Sequence, residues 1–203
     1  MFNKDGFKVI GDDIYVYNNF VTEQECDEIL ELIKTFDENK WVGRFYTTDE
    51  GHKWYDQQIG LLVPIKKRIE KLLDNDVYLG DNLSIVRMLK GQFWGLHSDN
   101  HDFKEIEKAS KNLKEDEDFE LRQNVVMGLI LYFNQFEGGN LYYPFQKINY
   151  QPQKGDLVIH DAGFKCEHGV TKLISNVRYS HSNHLYKLVK VPVGSAKQPI
   201  TEI

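Results

Sequence analysis

The stretch FWGLHSDN, Phe93 to Asn100, runs from an aromatic, apolar segment into a histidine and an aspartate separated by one serine. On a β-strand successive side chains point to opposite faces, so residues two apart share a face. His97 and Asp99 would then project together, with Ser98 turned away. An imidazole nitrogen and a carboxylate oxygen converging on one point suit a divalent first-row metal. A plain His–Asp hydrogen bond at a strand end has the same local pattern. The choice depends on whether the rest of the chain supplies a third ligand and a reason to hold a metal.

The chain of 203 residues can form one domain with a sizeable core. Its residues are 41% hydrophobic and 13% aromatic, which fits a folded globule rather than a disordered chain. The formal net charge of -6 argues against a nucleic-acid binder, which usually carries a basic balance. Cys26 and Cys166 are the only cysteines and form no C-x-x-C pair, so a reducing compartment is expected. The opening MFNKDGFKVIGDD has no apolar core of a secretory signal, and no apolar run is long enough to span a bilayer. A soluble, cytoplasmic protein without a membrane partner is the expectation.

DIYVYNNF alternates and is rich in β-branched and aromatic residues, as a first strand would be. VTEQECDEILELIKTF follows, with Thr22 and Glu25 in a capping-box pattern and Cys26, Ile29, Leu30 and Ile33 at helical spacing. Residues 41–60 read as one strand and a long polar loop, and IGLLVPIKKRIEKLLDN as a second helix with Pro64 near its start. β-rich segments then dominate: LSIVRML, VVMGLILYFN, NLYYPF, KINYQP, GDLVIHD and VRYSHSNHLYKLV, punctuated by Gly, Pro, Asn and Asp. Residues 100–124, His101 included, are dense in charge and predict a solvated loop or short helix without a catalytic part. The expected division is N-terminal helices over about residues 1–80 and a β core over about 81–190, within a single domain of residues 1–203. The fold class is mainly β with flanking helices packed outside a double-sheet barrel.

Beyond His97, His168 lies in CEHGVTKL, just after the buried-looking strand GDLVIHDA. Arg178 follows ten residues later, and Ser180 shares its strand face. An H-x-D, a distant histidine and a cation ten residues beyond it resemble the iron(II)- and 2-oxoglutarate-dependent dioxygenases. GLHSDN, FEGGNLYYP, QPQKGDLVIHD, EHGV and VRYS stand in the order of the prolyl 4-hydroxylase-like branch, over roughly residues 83–187. The resemblance implies a double-stranded β-helix (jelly-roll, cupin-like) core. It implies His97, Asp99 and His168 as ligands of Fe(II), leaving positions for a bidentate 2-oxo acid and O2. Arg178 would hold the far carboxylate of 2-oxoglutarate through its planar fork, with the Ser180 hydroxyl as a second donor. Many enzymes of this branch resemble the pattern with Lys in place of Arg178. In some relatives a tyrosine follows the first Arg, where this chain has Met88, and another lies on the next strand, for which Tyr132 is the candidate here.

The implied reaction is hydroxylation of a C–H bond with release of succinate and CO2, ascorbate being a possible further requirement. A prolyl residue in a peptide or protein is the implied substrate. A free amino acid or other small molecule, nucleic-acid demethylation, and a non-catalytic cupin-like metal-binding scaffold are the alternatives. Residues 44–58, with Arg44, Tyr46, His52, Trp54 and Tyr55 among Gly and Thr, are expected to form a flap over the substrate. Trp54, Tyr55, Trp94 and His184 are the substrate-contact candidates. His160 could line the cavity or be a hydrogen-bonded core residue, and Cys26 and Cys166 read as core. EGGN, Glu137 to Asn140, reads as a hairpin turn, since no K-[ST] follows to make a phosphate loop.

Overall fold

Two long strands form the spine of the molecule. β8 (Phe119–Tyr132) and β13 (Val177–Pro192) run antiparallel, with Ser180 opposite Tyr132 and Pro192 opposite Phe119. On one side β8 pairs with β11 (Leu157–Asp161), which pairs with β2 (Ile14–Tyr17) and then β1 (Lys8–Gly11). On the other, β13 pairs with β6 (Val86–Leu89), then β4 (Gly51–Tyr55) and β3 (Trp41–Phe45), while β5 (Val77–Leu79) joins its far end. A smaller sheet has the order β10 (Ile148–Tyr150), β9 (Leu141–Tyr143), β12 (His168–Val170) and β7 (Trp94–His97). This computed structural model describes residues 1–45, 49–100 and 118–193, together with residues 108, 110–112 and 114.

The period-two alternation of the strands sorts the core into two layers. Leu129, Leu131, Leu157 and Ile159 turn to one side. There they meet Cys26, Ile29 and Ile33 of α1 (Glu23–Ile33) and Leu62, Ile65 and Ile69 of α2 (Leu62–Glu70). Tyr132, Val158, Met88, Ile14 and Val16 turn to the other side and meet Leu141, Tyr143 and Val170 of the smaller sheet. The result is two antiparallel sheets face to face with helices on one outer face, a double-stranded β-helix or jelly roll, as the sequence predicts.

The first helix starts where its sequence says it should. Thr22 Oγ1 accepts the Glu25 amide at 3.2 Å, and a Glu25 carboxylate oxygen accepts the Thr22 amide at 2.9 Å. Pro64 falls in the first turn of α2, where its missing N–H costs no helical hydrogen bond. The EGGN turn forms with Gly138 and Gly139 at φ +68° and +58°. A Cβ on Gly138 would come within 2.4 Å of the Lys172 carbonyl oxygen, so both conformation and space call for glycine there.

Three expectations need correction. Residues 1–80 hold more than helices and the two strands expected there: DIYVYNNF gives β2, and β1 to β5 all join the larger sheet. Their short apolar segments cover sheet edges that the later strands would otherwise leave open. Residues 41–55 hold two strands, not one strand and a loop. β3 and β4 pair with Trp41 opposite Tyr55, and β4 bonds onward to β6. Residues 44–45 and 51–55 of the predicted flap are therefore sheet, while residues 46–48, Tyr46 among them, lie outside the described residues. Within 100–124, Phe119–Asn124 is not loop but the start of β8, drawn into register by β13. Most of 101–117, including His101, lies outside the described residues.

Candidate metal centre

β7 ends at His97, and β12 begins at His168 directly opposite it. This antiparallel pair places the two imidazoles on the same face, with ring centroids 4.4 Å apart. Asp99 follows two residues past the end of β7. One ligand atom from each of His97, Asp99 and His168 lies within 4.8 Å of the others. The chain thus builds a 2-His-1-carboxylate face from one tight strand pair and the residues just beyond it.

Each histidine is oriented by its own backbone. His97 Nδ1 lies 3.0 Å from the Gly95 carbonyl oxygen, and His168 Nδ1 lies 3.1 Å from that of Cys166. Each Nδ1–H donates to the carbonyl two residues earlier, which leaves each Nε2 with its lone pair for a metal. Burial, with His160 alongside, pushes His168 well below the usual imidazole range, so it is held in the ligating form. For Asp99, burial acts upward. The hydrogen bond from His160, with His184 and His168 close by, outweighs it and keeps the carboxyl well below its usual range.

The centre opens into a cavity of about 670 Å³. Its wall on β13 is the inward-facing row Arg178, Ser180, Ser182 and His184. Arg178 is only 5% exposed, and its Nη1 donates to the Gly139 carbonyl at 3.1 Å. Its guanidinium carbon lies 5.6 Å from the Tyr132 ring centre and 5.8 Å from that of Phe136. Arg178 Nε and the Tyr132 hydroxyl are both buried and have no hydrogen-bond partner among the described residues. Burial lowers the pKa of Arg178 and raises that of Tyr132, both against the charged form. A buried guanidinium edge and a buried phenol, both unsatisfied and side by side, are a place built for an anionic acceptor.

The other predicted residues divide. Trp94 lines the cavity and sits 4.3 Å, centroid to centroid, from His52. His184 lines it too, with Nε2 3.6 Å from Asp99 Oδ1. Tyr55 is a correction: it turns to the helix side, 5% exposed, stacked at 3.8 Å on Phe36. Strand alternation separates it from Trp54, whose ring lies 6.4 Å from His52, though Trp54 itself is not in the cavity lining. Met88 is cavity lining opposite Arg178. Cys26 and Cys166 are buried, and burial pushes their thiols up to about 11 and about 12, so both are inert core.

Sequence reasoning left His160 undecided and passed over Gly128 and Glu50. His160 does both things weighed for it, lining the cavity and hydrogen bonding to Asp99 Oδ2 at 3.0 Å. Strand periodicity put it on one face with Val158, but neither the direction of that face nor its partner was readable. Glu50 reaches the cavity because the chain just before β4 bridges to Phe93, beside β7.

Solved structures share the jelly-roll fold. One is the viral collagen prolyl hydroxylase of Paramecium bursaria Chlorella virus-1 in its 2OG complex. It aligns with a TM-score of 0.60 at 16% identity, over 87% of this chain and 97% of that one. A Pseudomonas putida prolyl-4-hydroxylase aligns with a TM-score of 0.55 at 15% identity, over 86% and 92%. A Trichoplax adhaerens prolyl hydroxylase, solved with a hypoxia inducible factor oxygen degradation domain peptide fragment, aligns with a TM-score of 0.54 at 14% identity, over 91% and 86%. At these identities the likeness is one of fold. No family model and no curated protein matches the sequence.

Proposed function

We propose that the protein is an Fe(II)- and 2-oxoglutarate-dependent dioxygenase that hydroxylates a prolyl residue in a peptide or protein. The observation that carries this reading is the pairing, in one cavity, of a 2-His-1-carboxylate face with a buried arginine. The donor set suits Fe(II), because two imidazoles and one carboxylate on one side leave the opposite side open. The unsatisfied Arg178 Nε and Tyr132 hydroxyl fit the far carboxylate of 2-oxoglutarate, with Ser180 on the same wall.

His97, Asp99 and His168 would hold the iron, which supplies the dioxygen chemistry while 2-oxoglutarate is converted to succinate and CO2. The chain's own contribution is to bind, orient and shield. Arg178 and Tyr132 fix one end of the cosubstrate through charge-assisted and neutral hydrogen bonds. Met88, Leu141 and Val170 line the cavity with apolar surface, which keeps water from the reacting centre. His52, Trp94 and His184 lie where a substrate side chain would enter. The prolyl assignment draws on the substrates named for the three prolyl hydroxylases above.

The test is incubation of the protein with Fe(II), 2-oxoglutarate, ascorbate and a panel of proline-containing peptides, read by mass spectrometry and by succinate release. A peptide product heavier by one oxygen atom, absent in Asp99→Ala, is the expected result. Succinate formation without any modified peptide, with a free amino acid hydroxylated instead, would keep the enzyme class and overturn the substrate. No succinate formation under any condition would overturn both.

A further inference from the structure

The carboxylate of Asp99 does not rest on its own strand. It reaches across the barrel to the larger sheet, where His160, Gly128 and His184 form a row across β11, β8 and β13. Gly128 leaves a notch in that row. A Cβ there would lie 2.0 Å from Asp99 Oδ2 and 2.4 Å from His160 Nε2. Asp99 fills the space that any other residue at 128 would occupy.

Its two oxygens have different surroundings. Oδ2 lies 3.0 Å from His160 Nε2, whereas Oδ1 faces His97 Nε2 at 3.7 Å and His184 Nε2 at 3.6 Å. An ionised carboxylate only accepts, so His160 Nε2–H donates to Oδ2, and His160 Nδ1 is left to accept the Tyr143 O–H at 3.0 Å. The chain runs one way, from phenol to imidazole to carboxylate. His160 is 1% exposed and Tyr143 fully buried, and apolar Val158 and Ile130 share the His160 face of the larger sheet. An apolar side chain would fill position 160 without the cost of desolvating an imidazole. The polar pair is therefore explained by what it holds.

We propose that His160, fixed by Tyr143 and given room by Gly128, is a positioning residue that keeps Oδ2 of Asp99 occupied so that Oδ1 alone is offered to the metal. The proposal rests on the metal-centre reading above. With Oδ2 tied to the larger sheet, the carboxylate cannot rotate to chelate with both oxygens, and the positions opposite the triad stay open. Hydrogen bonds of this kind to a ligand typically change metal affinity by about 10–100-fold when removed.

The experiment uses Co(II) as the probe, titrated into the metal-free full chain, with affinity from chelator competition and coordination number from the intensity of the visible bands. Gln at position 160 can place an amide N–H where Nε2 was. Asn reaches only the Nδ1 position, so it keeps the Tyr143 contact and loses Asp99. His160→Asn is expected to weaken Co(II) binding by about 10–100-fold, with the bands weakening as a further oxygen joins the ion. His160→Gln should restore most of both, at unchanged thermal stability relative to His160→Asn. Equal losses in His160→Asn and His160→Gln would mean that only packing is at work, and overturn the proposal. Wild-type affinity and bands in His160→Asn would do the same. Should His160→Asn fail to fold, His160→Phe, which keeps the ring and lacks the donor, is read by the same criteria. Asp99→Ala serves as the reference: if it binds Co(II) as the wild type does, the metal centre itself is refuted and this proposal with it.

Discussion

Arg178 illustrates how one buried charge constrains a reading. Its guanidinium is enclosed, donates to a neutral carbonyl, has no anionic partner among the described residues and faces two aromatic rings, an arrangement that costs stability until an anion arrives. Two opposite outcomes follow from one substitution. Arg178→Met, similar in length and apolar, is expected to leave the protein without cosubstrate as stable as the wild type or more so. With Mn(II) present, 2-oxoglutarate at about 100 times its dissociation constant should stabilise the wild type by about 2.7 kcal/mol, and Arg178→Met by far less. Loss of a charge-assisted contact worth roughly 2–5 kcal/mol corresponds to a rise in the apparent 2-oxoglutarate constant of about 30-fold or more. Thermal melts with and without 2-oxoglutarate check both. An equal thermal shift in the two proteins would place the carboxylate elsewhere.

The helices α1 and α2 depend on one glutamate. Glu25 completes the capping box of α1 and also takes the Arg68 guanidinium of α2, at 2.5 Å to Oε1 and 2.9 Å to Oε2. Arg68 donates as well to the Phe20 carbonyl at 3.1 Å. The cap of one helix is thus the tie to the other, and both helices press the same apolar layer onto the larger sheet. Thr22→Ala removes the acceptor for the Glu25 amide but leaves the Arg68 pair. It is expected to cost about 1 kcal/mol, seen as a lower urea midpoint at unchanged slope. A changed slope would mean that α1 had come away from the sheet.

Acid brings the whole molecule under strain in two successive windows. His181 faces the helix side, 3% exposed, with Nδ1 2.8 Å from the Ser84 carbonyl oxygen. Burial lowers its pKa to about 4, with the Ser84 hydrogen bond opposing. An unfolded chain takes up that proton near pH 6.5, so the stability from His181 is present above about 6.5 and is lost as pH falls towards 4. Glu25, lowered to about 2 by Arg68, contributes stability that is lost only further down, from about 4.5 towards 2. His168, also held neutral by burial, adds to the upper window. His181→Asn keeps a donor for Ser84 and does not titrate, so its urea midpoint should fall less than that of the wild type between about pH 7 and 4.5. Parallel curves for the two proteins would show that His181 carries none of the upper window.

Local rules were enough for much of this. The period of two in FWGLHSDN and VRYSHSNHLYKLV put His97 with Asp99, and Arg178 with Ser180 and His184, because alternation is a property of one strand. The capping box and the glycines of EGGN were likewise legible, since cap and turn chemistry span only a few residues. Only the tertiary structure assigned what depends on register between strands far apart in the chain. It joined β1 to β5 to the larger sheet, turned Tyr55 into the helix-side core and aligned His160, Gly128 and His184 under Asp99. Alternation says which residues share a face, but not which face is inward or which distant strand supplies the neighbour. The ligands were therefore readable one strand at a time, whereas the cradle that holds Asp99 exists only once two sheets have closed on each other.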